Sequence, residues 1–211
     1  MEDCLVIIDS GFLSKLSKYL GGGKHLVYDI IKFSKNLSTK QILNCKKIFY
    51  VTAPPFQGTP PTKDESNRKI KYDKFIYKLK KNSMIKVEEG RVQKIKESDR
   101  NIIYSQKGVD TLLIMRLSFV PIDFHNIKKI ILVSSDTDFC PVIEELKLKG
   151  IDVILYSYHE KIRDAKFSIS NHLIKCCSKY IRLSKEDFNN APLIKEIKQS
   201  SEKEVENGNK K

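Results

Sequence analysis

The sequence predicts an α/β fold: a three-layer α/β/α sandwich on a mainly parallel central sheet. Three observations predict it. Residues 4–8 (CLVII) and 130–133 (IILV) are continuously apolar, which suits strands buried on both faces. Segments with apolar residues at helical spacing separate such runs, and that alternation builds a parallel sheet covered by helices. The stretch 129–157 then reads as a complete β–α–β unit. Its strand stops at Ser134-Ser135-Asp136-Thr137-Asp138, and Pro141 suits the first turn of a helix. Val142, Ile143, Leu146 and Leu148 recur at near-helical spacing, with Glu144, Glu145, Lys147 and Lys149 between them. Gly150 ends that helix, and 151–155 form a second buried strand.

The other elements follow in order. The first strand, 4–10 (CLVIIDS), carries Asp9 at its end. Leu13, Leu16 and Leu20 mark a helix that Gly21-Gly22-Gly23 breaks. Residues 25–37 read as a second helix, with Leu26, Ile30, Ile31 and Phe33 inward. The strand 46–52 (KKIFYVT) runs into a loop containing Pro54, Pro55, Gly58, Pro60 and Pro61. A basic helix spans 62 to about 81, with Tyr72, Phe75, Ile76 and Leu79 as its apolar stripe. Residues 84–88 and 92–95 alternate around Glu89-Gly90-Arg91 as a strand or hairpin near a sheet edge. Residues 98–105 are polar and read as a loop. Gln106-Lys107-Gly108-Val109-Asp110 lead into an apolar helix over 112–119, and 121–126 form a loop.

Beyond the β–α–β unit, 158–167 are polar, 170–177 suit a short helix and 180–183 a last edge strand. From Ser184 the composition turns polar and charged. Leu193, Ile194 and Ile197 support one weak helix, and 200–211 should be disordered. The expected organisation is a folded domain over 1–183 and a charged tail over 184–211.

The formal net charge of +13 favours a polyanionic partner, nucleic acid first. Only six of the 39 basic residues are Arg. Lys-rich solubility is therefore the competing explanation, since Arg is the residue enriched at base contacts. No apolar run approaches the roughly 20 residues of a membrane span, so no membrane role is expected. The chain enters a strand almost at once, without the regions of a signal peptide. Five cysteines, at 4, 45, 140, 176 and 177, form no C-x-x-C pair and share no ligand spacing with the four histidines. They read as reduced thiols, and the expected location is cytoplasmic. The triple glycine neither follows a strand nor precedes Lys-Ser/Thr, which argues against a phosphate-binding P-loop. Asp136-Thr137-Asp138 is followed by Phe139 and does not complete the D-x-D-x-T signature of one large phosphatase class.

Asp9, Asp110, Asp136 and Asp138 each fall at a strand's C-terminal end or in a helix's first turn. In a parallel sheet such places share one edge. Each acid alone is an ordinary cap. Gathered, they repel one another unless a divalent cation neutralises them, and hard oxygen donors suit Mg²⁺ or Mn²⁺. Such a site activates water and stabilises the charge that develops on a phosphate during in-line displacement. Lys107, Lys63, Arg68 and Lys69 are the candidate phosphate contacts on the rim, and the Ser135 and Thr137 hydroxyls are candidate ligands or water-orienting groups. The combination points to a metal-dependent nuclease, with a nucleic-acid-binding protein of the same design as the alternative.

The order I-I-D-S near the start, K-G-V-D before a helix, and L-V-S-S-D-T-D-F-x-P-V-I-x-x-L-x-x-x-G-x-x-V after a strand resembles the NYN domain. That is a PIN-like nuclease group that includes the LabA-like proteins, and the resemblance covers about residues 4–183. It implies a PIN-like α/β/α sandwich and Mg²⁺- or Mn²⁺-dependent phosphodiester cleavage, usually of RNA, with DNA left open. Carried over by motif, Asp9, Asp110, Asp136 and Asp138 would be the metal-binding acids. Family members commonly have Asn two or three residues after the first Asp, where this chain has Ser10-Gly11-Phe12. Many have an Asp just before the last strand, where this chain has Ser178. The PIN-like fold often dimerises, so a homodimer is compatible with the resemblance, although no stretch marks an interface.

Overall fold

The computed structural model describes residues 1–98, 101–160 and 167–193. Its central sheet has six strands in the order β3-β2-β1-β6-β7-β8, and every pairing is parallel. The strands are β1 (Glu2–Asp9), β2 (Leu43–Thr52), β3 (Ile85–Glu89), β6 (Lys129–Val133), β7 (Asp152–Ser157) and β8 (Lys179–Arg182). A separate antiparallel ribbon pairs β4 (Arg91–Ser98) with β5 (Asn101–Lys107). The helices are α1 (Ser10–Leu20), α2 (Ile30–Thr39), α3 (Lys63–Lys80), α4 (Val109–Asp123), α5 (Cys140–Leu148), α6 (Asn171–Cys176) and α7 (Lys185–Asn189).

The apolar run of β1 divides by alternation, since successive side chains leave opposite faces of a strand. Cys4, Val6 and Ile8 join a core with Leu13 and Leu16 of α1, Phe33 and Leu37 of α2, and Ile76 and Leu79 of α3. Leu5 and Ile7 join a second core with Leu113 and Leu117 of α4, Ile143 and Leu146 of α5, and Leu173 of α6. These two cores, one on each sheet face, make the three layers. The strand order also reverses beside β1. The chain leaves β1 toward β2 and β3 on one side and later returns on the other as β6, β7 and β8. No helix among the described residues is long and apolar enough to cross a membrane.

Four expectations are corrected. The second helix starts at Ile30 rather than near His25, because Asp29 caps it, accepting from the Lys32 N–H at 2.7 Å. Its approach has no regular structure and is tied down by two bonds: the Leu26 N–H donates to the Ser17 hydroxyl at 3.0 Å, and the Asp29 N–H donates to the Ala191 carbonyl at 2.8 Å. Residues 84–88 and 92–95 do not pair with each other. The first run is β3, at the edge of the main sheet, and the second is β4, paired with β5. Much of the stretch read as a loop, 98–105, is therefore strand, because β4 supplies the hydrogen bonds that its polar composition concealed. The apolar helix runs on to Asp123 and takes in Pro121.

Past β8 the packing continues. Phe188 of α7 and Ala191 are fully buried in the first core, and Phe188 stands 5.1 Å from Phe33, ring centroid to centroid. The weak helix expected around Ile194 and Ile197 and the disorder expected over 200–211 lie outside the described residues, as do 161–166 of the polar segment 158–167.

Candidate active site

The carboxyl ends of β1 and β6 lie side by side where the strand order reverses, the usual place for a ligand site in an open parallel sheet. Asp9 closes β1 and caps α1. Its Oδ1 accepts from the Gly11 N–H at 2.9 Å and the Phe12 N–H at 3.1 Å. Its Oδ2 accepts from the Ser134 hydroxyl at 3.1 Å. Ile8 pairs with Val133, so Ser134, one residue further along, arrives beside Asp9. Ser134 is fully buried, and its Oγ also accepts from the Asp136 N–H at 3.3 Å. One hydroxyl thus ties the two strand ends together. Asp136 caps the short 3₁₀ turn Thr137–Phe139, its Oδ1 accepting from the Asp138 N–H at 3.0 Å.

Asp110 enters from the second face, in the first turn of α4. Gly108 precedes it with φ at 80°, a left-handed turn that a residue with a Cβ adopts only under strain. Desolvation pushes the Asp9 carboxyl above its ordinary range against the Phe12 N–H, the Ser134 hydroxyl and the Gly11 N–H, and the charge of Asp110 adds to the rise. Asp110 is also pushed up, by partial desolvation and then by Asp136 and Asp138. Asp110 thus acts on Asp9 and is itself acted on by Asp136 and Asp138. Among the described residues none of them is in an ion pair. Nor do any three His, Cys, Asp or Glu side chains there stand as a group close enough to hold a metal ion.

The rim residues divide. Lys107 ends β5, exposed, three residues before Asp110. Lys63 and Arg68 are exposed on the opening turns of α3, which the proline loop joins to the carboxyl end of β2. Lys69 is already engaged, 2.5 Å from Asp73 Oδ1. Ser135 is half-buried and Thr137 exposed on either side of Asp136.

Two residues that the sequence did not single out are built into the site. Ser134 is the first, legible only as the residue next to the strand end. Gln106 is the second. A Cβ placed on Gly11 would stand 3.0 Å from Gln106 Oε1 and 3.2 Å from Asp9 Oδ1, so glycine is what lets the Gln106 carboxamide close over the Asp9 turn. This polar group comes from β5. Ser178, by contrast, stands at the amino end of β8. Its hydroxyl donates to Asp152 Oδ1 at 2.7 Å, on the opposite edge of the sheet from the acids.

The NYN domain family model matches residues 5–184. The chain belongs to the NYN domain family. A similar fold is seen in the crystal structure of a protein of unknown function from Vibrio parahaemolyticus. It is similar to this chain with a TM-score of 0.57 at 17% identity, covering 89% of this chain and 95% of that one. At that identity the likeness shows the fold alone. No curated protein matches the sequence.

Proposed function

We propose that this NYN domain is a Mg²⁺- or Mn²⁺-dependent ribonuclease working at the carboxyl edge between β1 and β6. The observation that supports the reading is geometric: Asp9 Oδ2 and the Asp136 N–H meet on the one Ser134 hydroxyl at the carboxyl ends of β1 and β6, and Asp9 and Asp110 are raised first by burial and then by acidic neighbours. Carboxylates left in that condition cost stability, and a hard divalent cation removes the cost. The donor set fits such an ion in chemistry, being all oxygen. Asp110 and Asp138 are exposed, and Asp9 and Asp136 are held at their caps, so these four carboxylates are the ones that would hold a divalent ion. A bound ion would supply charge neutralisation, water activation and stabilisation of the developing phosphate charge.

The chain's own residues do the rest. Ser134 and the Gly11 and Phe12 N–H groups hold the Asp9 carboxylate in one orientation. Lys107, Lys63 and Arg68 attract and seat the flanking phosphates of an RNA strand. Gln106 offers a carboxamide beside Asp9 to orient a water or a ribose hydroxyl.

A second reading has an observation of its own. Asp9 and Asp136 already serve as caps, a structural role that accounts for them without an ion and is compatible with a domain that binds RNA without cutting it. The deciding experiment is cleavage of a labelled single-stranded RNA with Mn²⁺ against EDTA, with Asp110→Asn beside the wild type. Fragments that need the ion and vanish in the variant support the nuclease. Intact RNA with salt-sensitive binding supports the second reading.

A further inference from the structure

The ribbon β4–β5 carries a surface that the four acids do not explain. Among its described side chains, Arg91, Lys94 and Lys107 are exposed cations. The register places Val92 opposite Gln106 and Lys94 opposite Tyr104 on one face of the ribbon. Arg91 opposite Lys107 and Ile95 opposite Ile103 share the other face. The first face looks onto the body: Val92 packs against the second core, and Gln106 lies over Gly11 beside Asp9.

Two residues further out along the same face, about 7 Å at strand rise, Tyr104 meets Phe56 of the proline loop. Their ring centroids are 5.4 Å apart with the planes at 52°, and Lys94 Nζ stands 5.9 Å from the Phe56 centroid. Tyr104 nonetheless keeps 49% of its surface exposed. A cavity of about 390 Å³ opens there, lined by Phe56, Arg91, Val92, Gln93 and Lys94.

The loop under Phe56 is held in place. Glu65 Oε2 accepts from the Gly58 N–H at 3.2 Å and the Thr62 N–H at 2.8 Å. Gln57 Nε2 donates to the carbonyls of Phe56 and Glu65, both at 2.8 Å. An exposed aromatic pair on a pinned loop, flanked by cations and continuous with an acidic edge, has the chemistry of a base-stacking surface. Every base offers a π-face, while the backbone answers to Lys and Arg.

We propose that Phe56 and Tyr104, with Lys94, form a stacking platform for an unpaired base of single-stranded nucleic acid, whose strand continues along the same ribbon face toward Gln106 and Asp9. The inference deepens the nuclease reading, on which it rests for the identity of the partner, and it names the strandedness of the substrate. A duplex keeps its bases stacked on each other and cannot present one to the platform.

Fluorescence anisotropy tests it on the full chain in EDTA, where nothing is cut, with a labelled single-stranded RNA of about twelve nucleotides and a duplex of the same sequence. Tyr104→Ala weakens single-strand binding about tenfold and leaves duplex binding unchanged. Tyr104→Phe stays within about twofold of wild type, because the ring is retained. Lys94→Gln lowers the salt slope by about 0.7 on the single strand. Single-strand binding by Tyr104→Ala equal to wild type overturns the platform, as does equal loss on both substrates with the fold intact by circular dichroism. Absence of salt-sensitive binding by the wild type also overturns it and leaves Ile95 and Ile103 as a protein contact. The two readings fail separately. Cleavage that survives Asp110→Asn removes the acid site but not the platform, and a silent Tyr104→Ala removes the platform but not the acid site.

Discussion

The two edges of the one sheet treat the same residue type in opposite ways. At the amino edge, Asp3 accepts from Asn44 Nδ2 at 2.6 Å and stands 3.3 Å from Lys46 Nζ. Asp152 there has Lys129 Nζ at 2.5 Å and the Ser178 hydroxyl at 2.7 Å. Both carboxyls are held below the ordinary range, Asp3 first by Asn44 and Asp152 first by Lys129. At the carboxyl edge, Asp9 and Asp110 are pushed up, and the neighbours that act on Asp110 are further acids. The amino edge is arranged for stability. At the carboxyl edge, among the described residues, none of Asp9, Asp110, Asp136 and Asp138 has a cation within ion-pair distance, in a chain of net charge +13.

The largest expected effect is on activity. Asp110→Asn should lower Mn²⁺-dependent RNA cleavage by about 100-fold or more, while Asp152→Ala leaves it unchanged. Equal losses from both would erase the distinction between the edges. Next, Mn²⁺ at about a hundred times its dissociation constant should stabilise the wild type by about 2.7 kcal/mol. Thermal melts should show that gain shrinking in Asp110→Asn and intact in Asp152→Ala.

The pH dependence sharpens the contrast. Asp152 has a lowered folded pKa, so its contribution is present above the unfolded carboxylate range and is lost as pH falls through the lowered folded value. Asp152→Ala should cost about 0.5 kcal/mol at neutral pH, a small figure because Asp152 is 43% exposed and water screens the pair. Denaturant melts should show that cost disappearing in acid. Asp110 runs the other way. Its raised folded pKa makes ionisation unfavourable in the fold, so its charge costs stability at neutral pH and stops costing as pH falls through the raised value. Without metal, Asp110→Asn should therefore stabilise the protein, by about 0.5 kcal/mol after screening. A destabilised apo variant would mean that Asp110 is a structural cap after all.

The smallest effect concerns Ser178. Ser178→Ala removes one partly exposed hydrogen bond to Asp152 and should cost about 0.5 kcal/mol with cleavage unaltered. Altered cleavage would return this position to the active edge, against its place before β8.

The acids were legible because each stands at a boundary that composition announces. Asp9 follows an apolar run, Asp136 and Asp138 follow another, and Asp110 opens an apolar helix. Gln106 and Ser134 were not. Ser134 matters only because β6 lies beside β1, and Gln106 only because β5 folds back over Gly11. One side of the ribbon, 98–105, reads as a loop in the sequence. Alternation in N-I-I-Y-S-Q-K is weak, and a strand so polar is stable only with the partner that Arg91–Ser98 provides.

By itself the sequence determined the layer architecture, the parallel β–α–β units and the boundary position of every acid. Local burial patterns repeat within a few residues, and the chain carries them whatever its neighbours do. The tertiary structure decided the strand order, which sets Asp9 beside Ser134. It also decided the edge on which Ser178 falls, the return of Phe188 onto Phe33, and the fold of the ribbon that brings Tyr104 to Phe56. Those depend on which distant segments share hydrogen bonds and bury each other's apolar faces. That choice is made by the whole core at once, since no single segment can cover its own apolar face.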